Sequence, residues 1–129
     1  MEERSWLALA ASQASALEAL CETIVPGSSR VGPAVYIDAL LAGMPDGGRA
    51  ATLAAIDSLA EVADGGAEAL RERAATPEFM MVRALAIEAF YSDFVAPGAS
   101  GPSAWEEIDF NSPLARRLDK DWSYLGIGA

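Results

Sequence analysis

The chain is 129 residues long, which suits one domain with a modest core. Its formal net charge of −10 and pI near 4.3 repel phosphate and so argue against nucleic acid and anionic lipid, and direct membrane insertion is not expected because no apolar run is long enough to cross a bilayer. There is no His and one Cys, Cys21, so the usual neutral-pH base is missing and neither an internal disulfide nor a Cys-rich zinc site can be built.

Of the 129 residues 27 are Ala, the best helix former, so closely packed helices are favoured over an aromatic or β-branched core. Residues 2–11 read either as an N-terminal arm or as an extension of the first helix, with Trp6, Leu7 and Leu9 as its apolar positions. The helical signal is clear from Ser12, and Ser15 with Glu18 has capping-box spacing. Leu17, Leu20, Cys21 and Ile24 then form one apolar stripe, ended by Pro26-Gly27. After a short loop centred on Arg30, Pro33 opens a second helix carrying Tyr36, Ile37, Leu40 and Leu41. Gly43, Pro45 and Asp46-Gly47-Gly48 read as its break, with a third helix from about Arg49 to Ala63. Gly65-Gly66 stops that helix, and a short solvated one follows over about 67–74.

Thr76-Pro77 is a strong helix start, Thr as cap and Pro in the first turn. The helix to about Asp93 carries Phe79, Met80, Met81, Leu85, Ile87, Phe90 and Tyr91 in nearly every direction, which predicts a central helix surrounded by protein, with part of its face turned to a partner as the alternative. Arg83 and Glu88 lie on it five apart, off a common face, and either snorkel to solvent or pair with a partner. Residues 96–104 form a turn-rich loop; Trp105, Ile108 and Phe110 follow, then Ser112-Pro113 opening a short helix and an aromatic end with Trp122 and Tyr124. The expectation is an all-α fold: a single helical domain over 1–129, with a bundle of about five helices over 12–95 and an irregular aromatic C-terminal tail over 96–129.

Catalytic patterns are sparse. The sequence has no Gly-x-Ser-x-Gly elbow, no Gly-x-Gly-x-x-Gly and no Gly-Lys-Ser/Thr phosphate loop. Glu106, Glu107 and Asp109 read as a solvated acidic run, with an acid–base role for them beside Tyr91 and Asp93 as the enzymatic alternative. Cys21 reads as a small buried hydrophobe, or as a thiol for a bond to a partner. A visible export leader is absent, so the expectation is a cytoplasmic chain, or one exported with its partner if a leader precedes this segment.

Two segments together carry a resemblance. The first is Leu17-Glu18-Ala19-Leu20-Cys21-Glu22-Thr23-Ile24-Val25-Pro26-Gly27 with Gly32-Pro33-Ala34 and Tyr36-Ile37-Asp38. The second is Leu85-Ala86-Ile87-Glu88-Ala89-Phe90-Tyr91-Ser92-Asp93, a glycine-rich gap, Trp105 and the stretch Ile108 to Pro113. In this order and spacing they resemble the gluconate 2-dehydrogenase subunit 3 family, small subunits of flavin-dependent dehydrogenases of the glucose–methanol–choline type. The resemblance implies a non-catalytic chain with no cofactor or metal of its own. FAD and the oxidation of a sugar or sugar acid belong to the large partner. The chain departs from the family at its Tyr-Gly-Gly-Asn-like loop, where Ala96-Pro97-Gly98-Ala99-Ser100-Gly101 stands instead.

The partner contact is expected on Tyr91, Asp93 and Phe94 at the end of the central helix and on Trp105, Phe110, Arg116, Arg117, Trp122 and Tyr124 of the tail, because aromatic and Arg anchors dominate interface energetics. The tail aromatics also suit packing onto the chain's own bundle. The alternative function is a free-standing helical module that takes a small apolar ligand between its helices.

Overall fold

The first regular element, helix α1 (Ala11–Ile24), buries Ala14, Leu17, Leu20 and Cys21, one face at helical spacing. A 3-10 turn over Ser28–Val31 is entered through Gly27 and left through Gly32, both at positive φ. Helix α2 (Pro33–Ala42) starts on its proline, as the missing proline amide predicts. Then come α3 (Asp46–Ala60), a 3-10 turn over Ala63–Gly65, α4 (Gly66–Arg71), α5 (Pro77–Tyr91) and the one-turn α6 (Ala104–Glu107). This computed structural model describes residues 4–110. The helix opened by Ser112-Pro113 and the candidate contacts Arg116, Arg117, Trp122 and Tyr124 lie outside the described residues. Within them the fold is an all-α bundle with no strand.

Helices α1, α2, α3 and α5 pack on one another around Leu17, Leu20, Ile37, Leu41, Ile56 and Leu59, all fully buried. Truncating any of these to Ala costs about 2–5 kcal/mol, the usual range for a core Leu or Ile. Helix α5 turns Val82, Ala86 and Ala89 inward, and these small side chains let it approach α2 and α3 closely. A second, smaller cluster of Val31, Phe90 and Ala104, with Val95 and Trp105 against it, fastens the segment after α5 to the turn after α1.

Three charged side chains clasp α2. At its N-terminus the Glu18 carboxylate accepts from the Ala34 amide at 2.9 Å. At its C-terminus the Arg49 guanidinium donates to the carbonyls of Leu41 and Met44 at 2.9 and 2.8 Å. Both charges have the sign that the helix dipole favours at that end. From within α2 the buried Asp38 carboxylate accepts from three successive amides, Leu7, Ala8 and Leu9, at 2.9, 2.8 and 3.0 Å. Of the two readings for residues 2–11, the described part, from Arg4 onward, is an arm without regular structure up to Ala10, laid on the bundle. Leu9 is its buried foot, and Trp6 packs against the core.

Four expectations need correction. Helix α1 begins at Ala11, where the Gln13 side chain accepts from the Ala10 amide; Glu18 caps α2 and leaves Ser15 without the capping box. Helix α3 begins at Asp46 and runs through Gly47 and Gly48: two exposed glycines cost about 1 kcal/mol each, which Asp46 in the first turn and the Arg49 contacts offset. That helix ends at Ala60, ahead of Gly65-Gly66. Helix α5 is not encased: Met80 is 63% exposed and Tyr91 57%. Its apolar residues divide between the core and the surface.

Candidate protein-interaction surface

The site begins with the way α5 ends. Asp93 adopts a positive φ of 67°, which turns the chain out of the helix. Its carboxylate accepts from the buried Ser103 hydroxyl, and Ser103 in turn caps α6 by accepting from the Glu106 amide. The intervening segment lies over the Ser28–Val31 turn. Ala96 donates to the Val31 carbonyl and Gly101 to the Arg30 carbonyl, each at 2.9 Å. Gly32 makes this approach possible: its φ is +66°, and a Cβ there would sit 2.8 Å from the Ala96 methyl.

Arg30 is the latch of this region. Its Nε donates to the Pro102 carbonyl at 2.9 Å, its Nη2 pairs with Glu107, and its guanidinium lies 5.0 Å from the centre of the Phe90 ring. The sequence singled out Arg30 only as the middle of a loop. Its partners are 60 to 77 positions away, so no local pattern could reveal them.

These contacts set α6 beside the end of α5. Trp105 donates its indole N–H to the Tyr91 carbonyl at 2.9 Å, an orphan acceptor of the last helical turn. Phe110 folds back, its amide donating to the Trp105 carbonyl and its ring meeting the Trp105 ring edge-on at 5.0 Å. The result is an open apolar cleft of about 430 Å³ lined by Phe90, Tyr91, Ala104, Trp105, Ile108 and Phe110, with Glu107 at its edge. Ile108 is 72% exposed and Phe110 50%, so their apolar area faces solvent rather than the core.

Of the described candidates, Tyr91, Trp105 and Phe110 therefore share one surface. Asp93 stands behind them and braces Ser103. Phe94 turns away to meet Tyr36 edge-on at 5.3 Å. Ile108, which the sequence marked only as a neighbour of Phe110, belongs to the cleft.

A second cleft adjoins the first through Phe90, Tyr91 and Glu107 and runs past Ile24, Ile87, Arg30 and Arg83. A third adjoins that one through Ile24 and Arg83 and ends at Leu70, Arg71 and Phe79. Together they form a groove along the outer side of α5. All three open at the surface; the second runs between the end of α1 and α5, and the third lies between α1, α4 and α5. Arg83 and Glu88 are both exposed, which fits snorkelling and pairing with a partner alike.

Among the described residues the titratable groups with shifted pKa lie on α1. Burial raises the Glu18 carboxyl above its ordinary value, with the Ala34 amide opposing and the Glu22 charge adding. Glu22 moves the other way, held down chiefly by the hydrogen bonds of Ser29 and Gly27. Cys21 is fully buried and burial pushes its thiol up to about 12, which suits a packing residue and leaves no thiolate for a partner's disulfide. Among the described residues no group of His, Cys, Asp and Glu comes together that could hold a metal, and no helix is long and apolar enough to cross a membrane.

The fold and this surface thus define an all-α bundle with an aromatic cleft on its exterior. No protein-family model, curated protein or solved structure matches the chain.

Proposed function

We propose that this chain is a non-catalytic small subunit that binds and stabilises a large FAD-dependent dehydrogenase or oxidase of a sugar or sugar acid, of the kind accompanied by gluconate 2-dehydrogenase subunit 3. The observation that carries the protein-binding half of this reading is the exposed cleft of Tyr91, Trp105, Ile108 and Phe110. Contiguous apolar surface of this sort, held rigid by hydrogen bonds, is what an interface core uses. The flavin-dependent identity of the partner comes from the sequence resemblance, whose residues fall into two groups. Glu18, Gly32 and Asp38 hold the chain's own segments together. Tyr91, Trp105, Ile108 and Phe110 line the cleft.

Co-expression with a large flavoprotein of the glucose–methanol–choline type tests this. The expected result is a complex that co-elutes, with more soluble, flavin-loaded large subunit than is obtained alone. Trp105→Ala is then expected to weaken the complex by about tenfold or more while the bundle stays folded, as for an aromatic interface anchor. A large subunit equally soluble, flavin-loaded and active alone, with no co-elution, sinks the proposal.

A further inference from the structure

The groove along α5 has a charge opposite to that of the chain. Phe79, Arg83, Ile87 and Tyr91 follow one another along it at helical spacing, over about 18 Å at 1.5 Å rise per residue. Arg83 stands in its middle and Arg71 borders its far end, where Glu68 and Glu72 line an adjoining recess with it; among the described residues neither Arg makes an ion pair. Among the described residues Glu107 is the only acid lining the three clefts, and it is already matched by Arg30. A chain of net charge −10 thus presents a groove in which apolar side chains of α5 alternate with an unpaired guanidinium, that of Arg83, with a second, that of Arg71, at its end.

We infer that this groove receives an acidic amphipathic helix of a protein partner, about three turns long, whose apolar stripe packs on Ile24, Ile87 and Tyr91 while flanking carboxylates meet Arg71 and Arg83. A helix laid in an apolar groove reads anchors at i, i+4, i+7 and i+11, and three turns match the groove's length. Unpaired Arg beside an apolar floor adds selectivity for carboxylates through bidentate geometry. A second copy of this chain is disfavoured by the repulsion of two strongly acidic bodies. The chain's own residues 111–129 carry Arg116, Arg117 and Lys120 against two Asp, the wrong sign for this channel. The inference rests on the accessory-subunit reading only in requiring a protein partner.

Two synthetic helical peptides test it, identical in a Leu/Phe stripe and differing only in Glu or Lys flanks, titrated into 15N-labelled protein at low salt. The Glu peptide is expected to bind at least tenfold more tightly and to shift the resonances of Ile24, Ile87 and Tyr91. The exposed double variant Arg71→Glu/Arg83→Glu is expected to reverse the preference without changing the fold. Equal or reversed preference in the unaltered protein, shifts elsewhere, or no binding at millimolar peptide overturns the inference. So does a concentration-dependent dimer that covers the same residues. A complex with a large flavin subunit that forms equally well with the double variant refutes the groove and leaves the accessory reading standing. Charge-selective peptide binding with no such complex does the reverse.

Discussion

Replacing Asp38 by Ala removes the acceptor of three backbone amides at once. Hydrogen bonds to a charged group contribute about 1.5–3 kcal/mol each, and a buried donor left without a partner costs about 1–3 kcal/mol. The three amides are not equal. Leu7 is exposed and regains water, whereas Leu9 is buried and Ala8 half-buried. The loss therefore falls on two donors, and Asp38→Ala is expected to cost about 3 kcal/mol, or about 10 °C in Tm for a domain of this size. Asp38→Asn keeps one acceptor but turns an NH2 toward a donor, and should cost about half as much. The arm can also let go, which limits the global loss to what its docking contributes. Urea denaturation gives the stability, and amide hydrogen exchange at residues 7–9 gives the local effect. If Asp38→Ala stays within about 0.5 kcal/mol of the unaltered protein and those amides remain protected, the clamp does not hold the arm and the reasoning fails.

Three further outcomes are expected. Cys21 should resist a thiol reagent in the native state and react fully in denaturant; because its folded pKa of about 12 exceeds the ordinary 9, its contribution is intact below pH 9 and is lost as pH rises toward 12. Rapid native labelling at pH 8 contradicts this. Glu18 and Glu22 should titrate on opposite sides of an ordinary carboxyl. The raised Glu18 contributes below its unfolded value and loses that contribution as pH rises past it, so Glu18→Gln should be neutral or stabilising at pH 7, while the lowered Glu22 loses its contribution only as pH falls; carboxyl 13C titration reads both. Gly32→Ala should destabilise by about 2 kcal/mol or more, from a strained positive φ and the 2.8 Å approach to Ala96, with Ala96 and Gly101 amides losing protection first in hydrogen exchange.

Much of the bundle was legible because its signals are local. Pro33 and Thr76-Pro77 start helices where cap chemistry says they should, and the Leu17–Cys21 and Ile56–Leu59 stripes point inward at helical spacing. The glycines after Asp46 misled because their penalty is small beside a tertiary contact that lies outside any window: Arg49 reaching back to Leu41 and Met44. The apolar pattern of α5 misled because Met80 and Tyr91 count as core residues by composition, yet face outward. Aromatic content pointed to the region of the cleft. Its shape did not follow, since it depends on Trp105 reaching Tyr91 and on Arg30 reaching Pro102.

The charged groups bear on the binding role proposed above. A catalytic site keeps a few charged groups poised toward substrate in a concave, water-poor place. Here Asp38, Glu18, Glu22, Arg30 and Arg49 direct their oxygens and nitrogens mainly at the chain's own backbone. Each fastens a segment to the rest of the bundle: the arm, the ends of α2, the turn after α1 and the stretch before α6. An Ala-rich bundle needs such fastenings, because Ala adds little buried area per residue. Once those five are engaged, the cations left unmatched among the described residues include Arg71 and Arg83, and both border the groove that ends in the aromatic cleft. Charge not used to hold the fold is thus displayed beside exposed apolar surface, and it is on that pairing that the proposed docking rests.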